Sequence, residues 1–255
     1  MNKIFAIAVN TFRESIRDKI FYSLLTFAIL MLGFSKILSN IAIGDSIKII
    51  KDFGLASISL FGTLIAIFVG IGLVYKEMEK RTIFVILAKP IERWQFLVGK
   101  YLGLSITIII EVVVMTIALF SLCYLYNSKI PWSLFYAIIP IFFELQLILA
   151  VAIFFSSFSS PFLSGLFTLG IFIIGHCSID IKAIADKTDD VLLKKICDFF
   201  YYLLPNLENL NFKAKVVHDI AISFTGFWFS ILYSVAYTVF ILVCAIVIFE
   251  YRDMK

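Results

Sequence analysis

The chain has 255 residues, of which 62% are hydrophobic and 16% charged, with 22 Lys and Arg against 18 Asp and Glu. Soluble domains hold about 45–50% apolar residues, so a water-solvated fold is excluded, and apolar runs use so much of these residues that they leave no room for a soluble catalytic domain. A net charge of +4, dispersed between the runs, does not suit a nucleic-acid partner; it acts through where the positive charges lie relative to the membrane.

Residues 2–19 predict an amphipathic helix. Ile4, Ala8, Phe12, Ile16 and Ile20 recur every four residues, while Asn10, Arg13, Glu14, Arg17 and Asp18 gather on the other side. That pattern suits a helix lying in the plane of the membrane interface. Charges ahead of the first apolar run, and no small-x-small site after it, argue against a cleavable signal peptide. A first span follows from Ile20 to Ala42, with Lys36 near its far end, where a lysine snorkels to the headgroups. Asp45 to Asp52 reads as a short polar return.

The second span, Phe53 to Tyr75, and the last, Phe227 to Phe249, each exceed the roughly 20 apolar residues needed to cross the hydrocarbon layer. Gly62, Ala66 and Gly70 stand four apart in the second span, a small-residue stripe on which another helix can close, although glycine is also simply common in spans. Lys76 to Lys100 is the richest polar stretch. A third span covers Tyr101 to Tyr126, Asn127 to Trp132 make a tight turn, and a fourth span runs from Ser133 to Phe155. Ser156 to Pro161 is a turn by its chemistry, since serines bond locally and proline ends the helix.

The fifth span, Phe162 to about Ile179, is the shortest, and no span reads as broken. Residues 180–225 carry Asp186, Asp189, Asp190, Lys194, Lys195, Asp198, Glu208, Lys213, Lys215, His218 and Asp219 among amphipathic pieces. They are too charged to span and too apolar to be disordered, which predicts a small helical cap on the external membrane surface. A sixth span from Gly226 to Phe249 completes an all-α polytopic membrane protein with six transmembrane helices, an N-terminal interfacial helix and an external helical cap. An even number of spans puts both termini on one side. Arg13, Arg17, Arg81 and Arg93 all fall on that side, which favours cytoplasmic termini. The four cysteines, Cys123, Cys177, Cys197 and Cys244, show neither metal nor disulfide spacing.

Tyr75 to Tyr101 predicts an amphipathic helix, a bend fixed at Pro90, and a restart into the third span. From the residues alone it is either a charged elbow on which a cytosolic partner docks or an ordinary positive-inside loop. The stretch resembles the permease subunits of type-2 ABC exporters. An acidic pair follows the second span, then a Thr-containing turn, then Lys-Pro-Ile-x-Arg and Phe-Leu-x-Gly-Lys-Tyr. These stand here as Glu77, Glu79, Thr82, Lys89, Pro90, Ile91, Arg93, Phe96, Leu97, Gly99, Lys100 and Tyr101. The resemblance extends to the N-terminal interfacial helix, the six-span layout and Leu204-Pro205-Asn206 before the last span. Arg81 departs from it, standing where members often have glycine before the threonine. Within the family the look is closest to permeases grouped with nitrous-oxide-reductase maturation and with multidrug or copper-related export, and it does not extend to a substrate.

The resemblance implies one transmembrane permease domain over 1–255, integral to a bacterial inner membrane and assembled with a second permease subunit, as homodimer or heterodimer. It implies a separate cytosolic ABC ATPase subunit, coupled through Glu77, Glu79, Lys80, Arg81, Thr82, Pro90 and Arg93. The 255 residues hold no GxxxxGK[ST] phosphate loop; Gly99-Lys100 is followed by Tyr101 and has no glycine five residues earlier. ATP is therefore expected to be used by the partner, and neither a cofactor nor a metal is expected in this chain.

Glu111 and Glu144 are the two acids deep within spans. By helix rise both lie about 15–17 Å from a membrane face, near the midplane. Intramembrane carboxylates usually face a bundle interior or a wet cavity. Two readings are open for each: a protonated group bonded to a neighbour, or part of a translocation pathway or interhelix lock. His176, near the far end of the fifth span, has no second His or acid at helical ligand spacing, so it reads as structural rather than metal-binding. Two further classes compete with the permease: an ion-coupled carrier using Glu111 and Glu144 as a proton relay, and a membrane anchor for a surface complex. The apparent lack of broken spans and inverted repeats counts against the carrier.

Overall fold

The computed structural model describes residues 3–41, 46–79, 92–127, 131–188 and 190–251. Every regular element among them is helical: α1 (Lys3–Ile16), α2 (Lys19–Ile41), α3 (Ser46–Glu79), α4 (Arg93–Asn127), α5 (Phe135–Ser156), α6 (Pro161–His176), α7 (Ser178–Lys187), α8 (Val191–Leu203), α9 (Lys213–Val217) and α10 (Phe224–Tyr251). Single 3-10 turns stand at Trp132–Leu134 and Glu208–Leu210. Five helices are long and apolar enough to cross a bilayer, and six if α6 and α7 form one bent span. The protein is an all-α polytopic membrane protein.

Local chemistry sets the boundaries. Asp18 caps α2, its Oδ1 accepting from the Ile20 amide at 2.9 Å. Ser160 caps α6, with Pro161 in the first turn, where its missing N–H is no loss. The helices around the polar segments are longer than the apolar runs. What reads as a polar return before Phe53 is, from Ser46 onward, the first two turns of α3, and α4 begins at Arg93 rather than at Tyr101.

α5 is the hub of the bundle. Every residue from Glu144 to Ile153 is buried, and α3, α4, α6 and α10 pack around it. The small-residue stripe of α3 is used inside the chain: Gly62 faces Leu145, Gly70 faces Leu149 and Ala152, and Ala66 is buried between them. α1 lies along the start of α4, with Ile7 against Gly99 and with Ala8 and Thr11 against Gly103. It therefore has a protein partner along one side, while Phe5 on another side remains exposed. The start of α4 also meets the end of α10, where Phe96 stacks on Phe249 at 6.0 Å between ring centroids. Both described ends of the chain thus gather at one end of the bundle, the terminal end; the other is the far end.

Two departures from the sequence reading concern the region after α6. The segment read as a continuous fifth span is bent: α6 and α7 meet at 59° around Cys177. The 180–225 segment is also only partly a surface element. α7 and α8 form a helical hairpin, held by Lys182 Nζ to Asp198 Oδ1 at 2.7 Å, and no residue of α8 is buried. The chain that follows runs back among the helices, where Leu207 and Leu210 are fully buried. Tyr237 Oη donates to Leu203 O at 2.6 Å, and the Asn206 amide donates to Tyr233 Oη at 2.9 Å. Those tyrosines lie about 14–20 Å along α10 from its far end by helix rise. α9 then climbs α3, from Lys213 beside Ser59 to Asp219 beside Lys51. Pro205 after a helix C-terminus and a local set of polar partners let this irregular backbone sit inside protein, one of the two settings in a membrane protein where such backbone is tolerated.

Candidate functional site

The densest polar constellation lies at that bend. His176 closes α6, and the amide of Leu207 donates to Gly175 O at 3.1 Å, pinning the returning chain against the bend. A Cβ on Gly175 would stand 2.8 Å from Pro205 O and 2.7 Å from Leu207 Cγ, so this approach requires glycine. The arrangement puts two acids on one imidazole. His176 Nε2 lies 2.9 Å from Glu144 Oε1, and Nδ1 lies 3.4 Å from Glu208 Oε2. Each acid is 32 residues away along the chain, on opposite sides. Asn211 Nδ2 donates to both Glu208 oxygens at 3.0 and 3.1 Å, and Phe172 packs edge-on against the ring at 4.8 Å. On the α9 side Lys213 donates to Ser59 Oγ at 2.8 Å and is the further charge close enough to act on the ring. The side chains are 0%, 21% and 32% exposed for Glu144, His176 and Glu208, so the site is closed at the Glu144 end and open to the bundle surface at the Glu208 end.

The sequence reading found Glu144 and set His176 aside, and it missed Glu208, Asn211 and Lys213. His176 is not at the far end of a continuous span; it stands beside the middle of α5, about 14 Å from the start of that helix by helix rise. Its acid partners come from other elements, which no spacing rule along one helix detects. The usable signal was Leu204-Pro205-Asn206, which sits two residues before Glu208. Because the two carboxylates face opposite ring nitrogens, the donors do not converge on one point. Among the described residues no group of three or more His, Cys, Asp or Glu could hold a metal ion.

Glu111 is not part of this cluster. It is wholly buried in α4, facing Gly62 of α3, and neither carboxylate oxygen has a partner among the described residues. A second polar link joins α4 to α5, where Ser105 Oγ donates to Gln146 Oε1 at 2.6 Å.

At the terminal end, Arg93 is the one proposed coupling residue whose side chain is described. Its Nη1 donates to the carbonyls of Glu250 at 2.8 Å and Phe249 at 3.2 Å, satisfying acceptors that the last turn of α10 leaves open. Lys100 lies fully buried 3.8 Å from Glu14 of α1 and 5.7 Å over the Phe96 ring. α1, α4 and α10 are thus joined by charged contacts on one seam. Glu77 and Glu79 fall in the last turn of α3; Lys80, Arg81, Thr82 and Pro90 lie outside the described residues.

Comparison with curated proteins gives no match. The family described as ABC-2 family transporter protein matches residues 5–254, which takes in every helix of the bundle from α1 to α10. With a polytopic helical bundle matched over nearly its whole length, the chain belongs to the ABC-2 family of transporter proteins.

Proposed function

We propose that the chain is the membrane-spanning permease subunit of an ATP-driven exporter, working with a second permease subunit and powered by a separate cytosolic ATPase. The observation that carries this reading is the family match over 5–254 in a sequence of 255 residues that contains no phosphate loop. The seam at the terminal end supports it. Within the Lys76–Lys100 stretch, Arg93 links the start of α4 to the end of α10, and Lys100 faces Glu14 of α1. On this reading Glu77, Glu79, Lys80, Arg81, Thr82 and Pro90 dock the ATPase, Arg93 passes the movement to α10, and both termini are cytoplasmic in a bacterial inner membrane. Glu111 and Glu144 act as interhelix locks or border the pathway. The bend between α6 and α7 would also suit an ion-coupled carrier, but the family match favours the ATP-driven class. The test is reconstitution in lipid with and without a candidate ABC ATPase chain. The chain alone is expected to hydrolyse no ATP, and the pair to hydrolyse it; robust hydrolysis by the purified chain alone would overturn the reading.

A further inference from the structure

We propose that Glu144, His176 and Glu208 form a proton-binding site, and that its proton holds the 204–212 segment in the bundle. The argument is one of donors and acceptors. Both ring nitrogens face carboxylate oxygens, at 2.9 and 3.4 Å. A neutral imidazole has one donor and one acceptor nitrogen, and an ionised carboxylate only accepts. Two ionised acids and a neutral ring would therefore set one nitrogen lone pair against a carboxylate lone pair. The observed contacts are all satisfied only when the three groups share one more proton, on the ring or on either carboxyl.

The geometry also says which contact fails when that proton leaves. Glu144 is fully buried and its Oε2 has no partner among the described residues, so it has no water to turn to and keeps the remaining ring N–H. Glu208 is a third exposed and keeps both Asn211 hydrogen bonds when it leaves the ring, so its contact is the one given up. The charged groups facing His176 from the elements around it are Glu144 of α5, Glu208 of the 3-10 turn and Lys213 of α9; Phe172, on its own helix, is apolar. Losing the Glu208 contact leaves the returning chain held by the Leu207–Gly175 and Asn206–Tyr233 hydrogen bonds. Deprotonation thus loosens the segment beside the bend between α6 and α7 without dismantling the bundle. This site stands on its own geometry and does not depend on the ATPase assignment.

Hydrogen exchange of the full chain in lipid nanodiscs tests it, read on peptides covering 204–212 and corrected for intrinsic exchange. Between about pH 5 and pH 8, the range in which imidazole titrates, protection of these peptides is expected to fall about tenfold or more, the scale of one charge-assisted hydrogen bond. Peptides of α4 should hold their protection. In Glu208→Gln the side-chain amide supplies its own N–H to the bare nitrogen, so protection should stay high and lose its pH dependence. His176→Phe should be loose at every pH. Wild-type protection that does not change with pH, or a Glu208→Gln variant that keeps the wild-type pH dependence, would overturn the proposal.

Discussion

A Cβ built on Gly62 would stand 2.5 Å from Leu145 Cδ1 and 3.2 Å from Glu111 Oε2, so α3, α4 and α5 meet around a hydrogen atom. The tighter contact is the end of a flexible side chain, which sets the expected ranking. Gly62→Ala should be mild, because Leu145 can turn. Gly62→Val adds two methyl groups beyond the alanine Cβ, in a site where the first carbon already meets Leu145, and should destabilise by about 1–3 kcal/mol, read as a lower thermal midpoint in detergent; an unchanged midpoint for Gly62→Val would show that the junction is loosely packed. The same residue shows what a sequence can carry at this scale. Spacing places Gly62 on a stripe and Glu111 mid-span, and both placements match the structure. That the two face each other is a tertiary fact, and no periodicity along either helix contains it. Glu144 shows the converse, since its depth is legible while its imidazole partner, 32 residues on, is not.

At the scale of elements, hydrophobicity locates spans but does not sort them. In lipid an apolar side chain gains little by leaving the acyl chains for protein, so the buried α5 and the mostly exposed α10 have nearly the same mean hydropathy, 2.5 and 2.6. The hub therefore becomes visible only in three dimensions. The bend after His176 was hidden for a related reason: Gly175 reads like any glycine in an apolar span, and the chain that approaches it at Leu207 is a tertiary contact. Arg93 was legible as a charged residue entering α4, but its use was not. Its guanidinium caps the last turn of α10. Arg93→Ala should free those carbonyls and weaken the turn by roughly 0.5–1.5 kcal/mol, seen as faster amide exchange over 246–251 with insertion and global stability retained. Arg93→Lys should restore part of the protection, because an ammonium also donates to both carbonyls but from a shorter side chain. Unaltered exchange at the end of α10 would mean that the contact does not hold the turn.

For the whole molecule, the question is whether movement at the terminal end reaches the Glu144–His176 site. The route is physically continuous: Glu14 of α1 to Lys100 of α4, Phe96 to Phe249 of α10, and Ser234 of α10 donating to Phe143 O of α5 at 2.9 Å, one residue from Glu144. A chain of contacts is only a candidate route until both ends are shown to shift one equilibrium. Charge reversal at Glu77 and Glu79 supplies that test on the side where the ATPase is proposed to dock. The pair lies in the last turn of α3, beyond the apolar part of the helix, so Glu77→Lys with Glu79→Lys should leave insertion and thermal stability unchanged. Ion pairs that are partly desolvated across an interface can be worth a few kcal/mol, and reversing two of them should weaken assembly with the ATPase by tenfold or more, about 1.4 kcal/mol per tenfold, or leave assembly intact with hydrolysis no longer tied to transport. Co-purification and coupled transport in proteoliposomes separate these outcomes, both of which place the segment at the interface. A double variant that assembles and transports normally would reduce it to a positive-inside loop. The seam from α1 through Arg93 would then be a brace for the bundle rather than an input to it.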